Sequence, residues 1–285
     1  MHTTTTLPPA LYTWVAEQRR AGQSIERLRK AMLDKGWSEQ DAEVALGESD
    51  QRADKAHGTH EIHETTDVAV TVKLPAPDLS AAPQYITVEH QRIKVLQTLE
   101  HPRIVVFADF LSDEECELLI ASARPRLERS TVLGKEESVL SKKRTSEGMF
   151  FRRQETELVG RIEQRISTLL NWPLEFGEGI QVLRYGPGAE FAPHHDYFDP
   201  RYFEKPLLRG GQRVATLIMY LHEPEQGGAT VFPEINLSIF PAKGSAIFFS
   251  YHKPDPSTLS LHGGAPVIAG EKWIATKWLR EGEFI

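Results

Sequence analysis

Residues 191–198 read FAPHHDYF, two histidines and an aspartate inside an apolar, aromatic run. Side chains on a strand alternate between faces, so a strand here would send His194 and Asp196 to one side and His195 to the other. An imidazole and a carboxylate aimed at one point suit a metal, with a third donor expected from another strand facing the same interior. The stretch LSLHGGAPV offers His262 at a strand end, followed by glycines that let the backbone approach closely. Two imidazoles and one carboxylate on one face are the donor set of a non-haem Fe(II) centre, which keeps about three of roughly six coordination positions open for cosubstrate and O2. A His–Asp pair alone is equally a structural hydrogen-bonded pair in a sheet. Lys272 shifts the balance, because it follows His262 by ten residues on the next apparent strand, flanked by Trp273, Ile274 and Ala275. A lysine in such company snorkels outward or pairs with an anion. Opposite a metal, the natural anion is the distal carboxylate of a dicarboxylate such as 2-oxoglutarate.

The elements that must position these groups are mostly strands. YITVEHQRIKVL and PRIVVFADF are rich in β-branched residues, and Ser112 with Glu115 three positions later predicts a capped helix. ETELVGRIEQRISTLL, residues 155–170, has apolar residues at helical spacing. After residue 178 the chain is almost entirely short strands between Gly and Pro turns. The expected fold is mainly β with flanking helices: a double-stranded β-helix (jelly-roll) core over about 178–282, with the two helices on one outer face. DPRYFEKPLLRGG, residues 199–211, lies between two strands and is placed to act as a mobile lid.

Residues 1–47 predict a small helical bundle of three short helices, with Trp14 and Trp37 in its core. Residues 48–84 are polar and Pro-containing and predict a linker, leaving 85–285 as the main domain. His57, His60 and His63 recur every third residue in that linker, where nothing would orient them as ligands. The one cysteine, Cys116, reads as a small buried hydrophobe. The formal net charge is −7 and is not segregated, which gives no basis for a nucleic-acid partner. No secretory signal and no membrane-length apolar run is present, so a cytoplasmic location without a membrane partner is expected.

From residue 101 to 282 the chain resembles the prolyl 4-hydroxylases, Fe(II)/2-oxoglutarate dioxygenases of plant, algal, bacterial and collagen-modifying types. The blocks that carry the resemblance are PRIVVFADFLSDEE, RTSEGMFF, RYGPGAEFAPHHDYF, GGQRVATLIMYL, GGATVFPE, KGSAIFF and LHGGAPVIAGEKWIATKW. It implies His194, Asp196 and His262 as iron ligands and Lys272, Thr230 and Tyr185 as contacts of 2-oxoglutarate. Arg213, Trp278 and, from KKRTSEG, Arg144 fall on the substrate side. It further implies O2 as cosubstrate, ascorbate as reductant and a proline-containing protein or peptide as substrate. Two positions depart from the pattern: Phe191 stands where many relatives carry Tyr, and Arg280 where they tend to have His. Both bear on the substrate. Hydroxylation of a free amino acid or another small molecule therefore stays open, as does a catalytically silent jelly-roll binding module. The N-terminal bundle is left to bind a partner that no motif identifies.

Overall fold

The computed structural model describes residues 73–129 and 145–285, the backbone of 131–133 and 138–140, and nearer the start Val15, Gln23, 25–35 and 37–46. The chain divides into two compact units, Met1–Ala69 and Val70–Ile285.

In the first unit, α1 (Ile25–Asp34) and α2 (Glu39–Leu46) bury Leu28, Met32, Ala42, Ala45 and Leu46 with Val15, and Trp37 packs against that cluster. Ser38 caps α2 by accepting from the Asp41 N–H, and the Asp41 carboxylate accepts in return from the Ser38 N–H. Two of the three expected helices are thus present. The first, apart from Val15, lies outside the described residues, as do Trp14 and the three linker histidines.

The second unit is mainly β, with several antiparallel sheets and few helices. Its large sheet has nine strands in the spatial order β1 (Tyr85–Val88), β2 (Gln91–Leu99), β3 (Arg103–Ala108), β14 (Ala246–Ser250), β10 (Arg213–His222), β17 (Lys272–Arg280), β8 (Gln181–Tyr185), β7 (Glu147–Phe150) and β4 (Glu128–Arg129). A smaller sheet runs β13 (Leu237–Ile239), β12 (Thr230–Phe232), β15 (His262–Gly264), β9 (Phe191–His194). Two short pairs complete the set: β5 (Thr131–Leu133) with β6 (Ser138–Leu140), and β11 (Gln226–Gly227) with β16 (Val267–Ala269).

Both faces of the large sheet are covered. On one face α3 (Asp113–Ala123) and α4 (Glu157–Leu170) lay Cys116, Leu119, Ile162 and Ile166 against Leu217, Met219, Phe248 and Ala275. The expected capping box is formed by Ser112 and Glu115. Glu115 also receives a two-pronged pair from Arg165 at 2.8 Å on each oxygen, which ties α3 to α4. On the other face Ile218, Tyr220, Ile247 and Phe249 meet Phe232 and Ile239 of the smaller sheet. Because β17 is covered on both sides, all nine of its residues are buried, and it reads as a continuous run instead of an alternating one.

The Pro-containing stretch 73–84, assigned to the linker from sequence, packs on this unit. Pro75 and Pro77 are buried, Leu79 joins the helix-side core, and the Ala76 N–H donates to the Leu170 carbonyl at 2.9 Å. Proline content marked the stretch as irregular, but irregular backbone can still be fixed by contacts distant in sequence.

Candidate metal centre and cosubstrate pocket

The smaller sheet brings His194 and His262 together. β9 and β15 pair antiparallel with His194 opposite His262, and the two imidazole centroids are 4.5 Å apart. Gly263 makes the approach possible: a Cβ there would meet the Phe191 carbonyl oxygen at 2.8 Å and the Pro193 nitrogen at 3.0 Å. Each imidazole uses its Nδ1 on a backbone carbonyl two residues earlier, His194 on Ala192 and His262 on Ser260, both at 3.0 Å. That fixes ring orientation and turns both Nε2 atoms inward.

Asp196 completes the group, with Oδ1 3.4 Å from the His194 Nε2 and Oδ2 3.5 Å from the His262 Nε2. The three candidate ligand atoms lie within 4.8 Å of one another. Contrary to the strand alternation expected from sequence, β9 ends at His194, so Asp196 arrives from the bend that follows. Gln212 holds that bend, its side-chain amide accepting from the Phe198 N–H and donating to the Phe198 carbonyl, both at 2.7 Å. Burial opposes ionisation of Asp196, but the two histidines outweigh it and hold the carboxyl well below the usual carboxylate range. Burial pushes the His262 imidazole down to about 4, so it is neutral at physiological pH, as a ligand must be. His195 turns away, stacked on Tyr197 with centroids 4.6 Å apart.

A second polar cluster sits in the same inter-sheet core. Lys272 opposes Tyr185 across β17 and β8, and its Nζ lies 5.6 Å from the Tyr185 ring centroid and 5.7 Å from that of Tyr220. The Tyr220 hydroxyl donates to the Thr230 Oγ1 at 2.7 Å, and Thr230 stands opposite Gly264, two residues from His262. These contacts link Lys272 to the smaller sheet that carries the histidines. Burial lowers the Lys272 ammonium to about 8, and among the described residues no carboxylate pairs with it. A buried ammonium with aromatic neighbours and no counter-ion is arranged to receive an anion. Gly228 keeps the space beside it open, since a Cβ there would come within 3.3 Å of the Lys272 Cδ.

On the far side of Asp196, Arg213 and Trp278 are brought together, the guanidinium carbon 4.0 Å from the indole ring centroid. The Arg213 fork is engaged by Glu178, Nε to Oε1 at 2.6 Å and Nη2 to Oε2 at 2.9 Å, while Nη1 reaches the Asp196 carbonyl at 3.4 Å. Glu178 also accepts from the Arg280 Nε at 2.7 Å. Burial alone would raise Glu178, but the two arginines hold its carboxyl below the usual range. Arg280 further donates to the Pro206 and Gly211 carbonyls, which anchors one end of the 199–211 segment. The Trp278 indole N–H is buried without a partner. Arg144 lies outside the described residues.

Sequence reasoning missed Thr216, Tyr220, Tyr251, Glu178 and Gln212. Thr216 and Tyr220 were recoverable in principle, because alternation along β10 puts both on the face that carries the site. Tyr251, Glu178 and Gln212 sit at strand ends or in turns, where no period applies.

Residues 180–280 match the 2OG-Fe(II) oxygenase superfamily. The chain is 42% identical over 206 residues to probable prolyl 4-hydroxylase 3 of Arabidopsis thaliana, an alignment covering 64% of this chain and 71% of that protein. It is 45% identical over 199 residues to prolyl 4-hydroxylase 1 of the same plant, covering 63% and 69%. The crystal structure of a viral collagen prolyl hydroxylase from Paramecium bursaria Chlorella virus-1, in complex with 2OG, aligns at 35% identity and a TM-score of 0.48, over 61% of this chain and 94% of that one. The match spans the strands that bring His194, Asp196, His262 and Lys272 into one core, and the chain belongs to the prolyl 4-hydroxylase family of 2OG-Fe(II) oxygenases.

Proposed function

We propose that this protein hydroxylates prolyl residues in a protein or Pro-rich peptide, consuming 2-oxoglutarate and O2 and releasing succinate and CO2. The observation that carries the reading is the convergence of His194, Asp196 and His262, with both imidazole Nδ1 atoms committed to backbone carbonyls. Two imidazoles and one carboxylate are a donor set that fits Fe(II). When bound, Fe(II) and 2-oxoglutarate supply the O2-dependent oxidation of a C–H bond, chemistry that no side chain has.

The chain's own residues bind, orient and exclude water. His194, Asp196 and His262 hold the metal. Lys272 receives the distal carboxylate of 2-oxoglutarate as a charge-assisted pair. Thr230 accepts from Tyr220 and so keeps its own proton for that carboxylate, and Tyr185 flanks the ammonium. On the substrate side, Trp278 offers its unpartnered N–H to a peptide carbonyl. Arg213, paired with Glu178, backs the indole ring. Arg144 is assigned to the same substrate side, and ascorbate is the reductant. The prolyl substrate is supported by the identity to plant prolyl 4-hydroxylases.

The same proposal reads the two facing sheets as a double-stranded β-helix, residues 1–47 as a helical bundle with a partner of its own, 48–84 as the connection, whose end from residue 73 packs on the next domain, and 85–285 as the oxygenase domain. It places the protein in the cytoplasm, with no nucleic-acid partner. Among the described residues no helix is long and apolar enough to cross a membrane.

The test is succinate release by the purified chain with Fe(II), 2-oxoglutarate and ascorbate, comparing Pro-rich peptides, free proline and no substrate. Stimulation by peptide alone is expected, and His194→Ala or Asp196→Ala should abolish it. Stimulation by free proline alone would move the assignment to a small-molecule hydroxylase, and absence of turnover would revive the binding module.

A further inference from the structure

Asp196 has a hydrogen-bonding neighbour that neither the metal nor the cosubstrate accounts for. The Thr216 Oγ1 lies 2.7 Å from the Asp196 Oδ2 and 3.0 Å from the Tyr251 hydroxyl. Thr216 and Tyr251 are fully buried, so no solvent competes for these bonds. The proton order in the chain follows from valence. An ionised carboxylate only accepts, so the single Thr216 proton goes to Asp196. Thr216 must then accept from Tyr251, and the order runs Tyr251 to Thr216 to Asp196.

The setting makes this chain stiff. Thr216 sits near the middle of the large sheet, on β10, paired with Phe249 on one side and Trp278 on the other. A β-branched side chain there has little χ1 freedom, so its hydroxyl is aimed by the backbone. Asp196, by contrast, lies in a bend beyond the end of β9, where nothing in the ladder aims its carboxylate.

We infer that Thr216, backed by Tyr251, is a positioning residue that presets the Asp196 carboxylate for the metal. Without the hydroxyl, the Nε2 lone pairs that would bind the ion, 3.4 and 3.5 Å from the carboxylate oxygens, repel the buried carboxylate, which is then free to turn out of the position it must take on the metal. The Thr216 bond to Oδ2 opposes that rotation and offsets part of the desolvation of the charge in the metal-free protein. The inference rests on the assignment of His194, Asp196 and His262 as ligands.

The experiment is titration of the full chain with Co(II), without 2-oxoglutarate, followed by visible absorption. Thr216→Val keeps the shape and removes the hydroxyl, and its Co(II) affinity is expected to fall roughly 10–100-fold, the usual effect of deleting a residue that orients a ligand. Thr216→Ser restores the hydroxyl and should recover most of the affinity. Tyr251→Phe should fall between wild type and Thr216→Val, because the bond to Asp196 survives it. Unchanged affinity in Thr216→Val would overturn the inference, and so would equal losses in the Val and Ser variants, which would trace the effect to packing. A wild-type chain that binds no Co(II) would remove the ligand assignment first and the positioning role with it.

Discussion

Lys272 carries the sharpest pH dependence in the pocket. Burial lowers its ammonium to about 8, with no acidic partner among the described residues to restore it. Below pH 8 the charge proposed to receive the 2-oxoglutarate carboxylate is already present. Above it, each 2-oxoglutarate bound must bring a proton onto the amine, so affinity should drop about tenfold per pH unit. Binding isotherms of the Co(II)-loaded chain between pH 6.5 and 9.5 would show this, and a flat profile would mean that the ammonium is not the partner. Lys272→Met should weaken 2-oxoglutarate by about 2–5 kcal/mol, the usual effect of removing one member of a buried charge pair, while leaving Co(II) affinity unchanged. The lysine was legible because it is a charge in an apolar strand. Alternation along β10 puts Thr216 on the face of the site, but a threonine in a strand is ordinary and only the fold places Asp196 beside it.

At the scale of elements, the close pairing of β9 and β15 sets the separation of the two histidines. Gly263→Ala would drive a Cβ into the Phe191 and Pro193 backbone, atoms that cannot rotate away. We expect a loss of about 1–3 kcal/mol in urea unfolding, together with weaker Co(II) binding as His262 moves from His194. A second element-scale device lies on the other face of β17. Lys272 and Lys277 are five residues apart, so alternation sends them to opposite faces. Lys277 meets Glu163 of α4 in a fully buried ion pair, which fixes the helix on the sheet. Glu163→Ala should destabilise the fold by about 3–5 kcal/mol by leaving a buried charge alone. The double variant Glu163→Leu, Lys277→Met should recover most of that stability. Equal loss in both would show that the pair itself stabilises the fold.

For the whole molecule, every residue placed in the site belongs to the Val70–Ile285 unit, and the superfamily match falls entirely inside it. A chain shortened to residues 70–285 is therefore expected to keep 2-oxoglutarate turnover in the succinate assay; loss of turnover in a folded, Co(II)-binding fragment would give the first unit a part in the reaction. Cys116 shows the same division between chemistry and scaffold. It is buried in the helix-side core, its thiol is pushed up to about 11, and it takes no part in the site.

The sequence by itself determined the donor types, because His, Asp and Lys in apolar runs have few uses other than binding ions. It also determined the strand-rich architecture and the two amphipathic helices, since local periodicity records which face of an element is covered. What faces what was decided only by tertiary structure. Asp196 reaches the metal site from a bend held by Gln212, Arg213 pairs with a glutamate thirty-five residues earlier, and Thr216 on β10 and Tyr251 just past the end of β14 meet to aim one carboxylate. Such contacts join residues remote in the chain, and hydrogen bonds of this kind leave no period along it, so the groups that aim the ligands emerge only when the sheets close on each other.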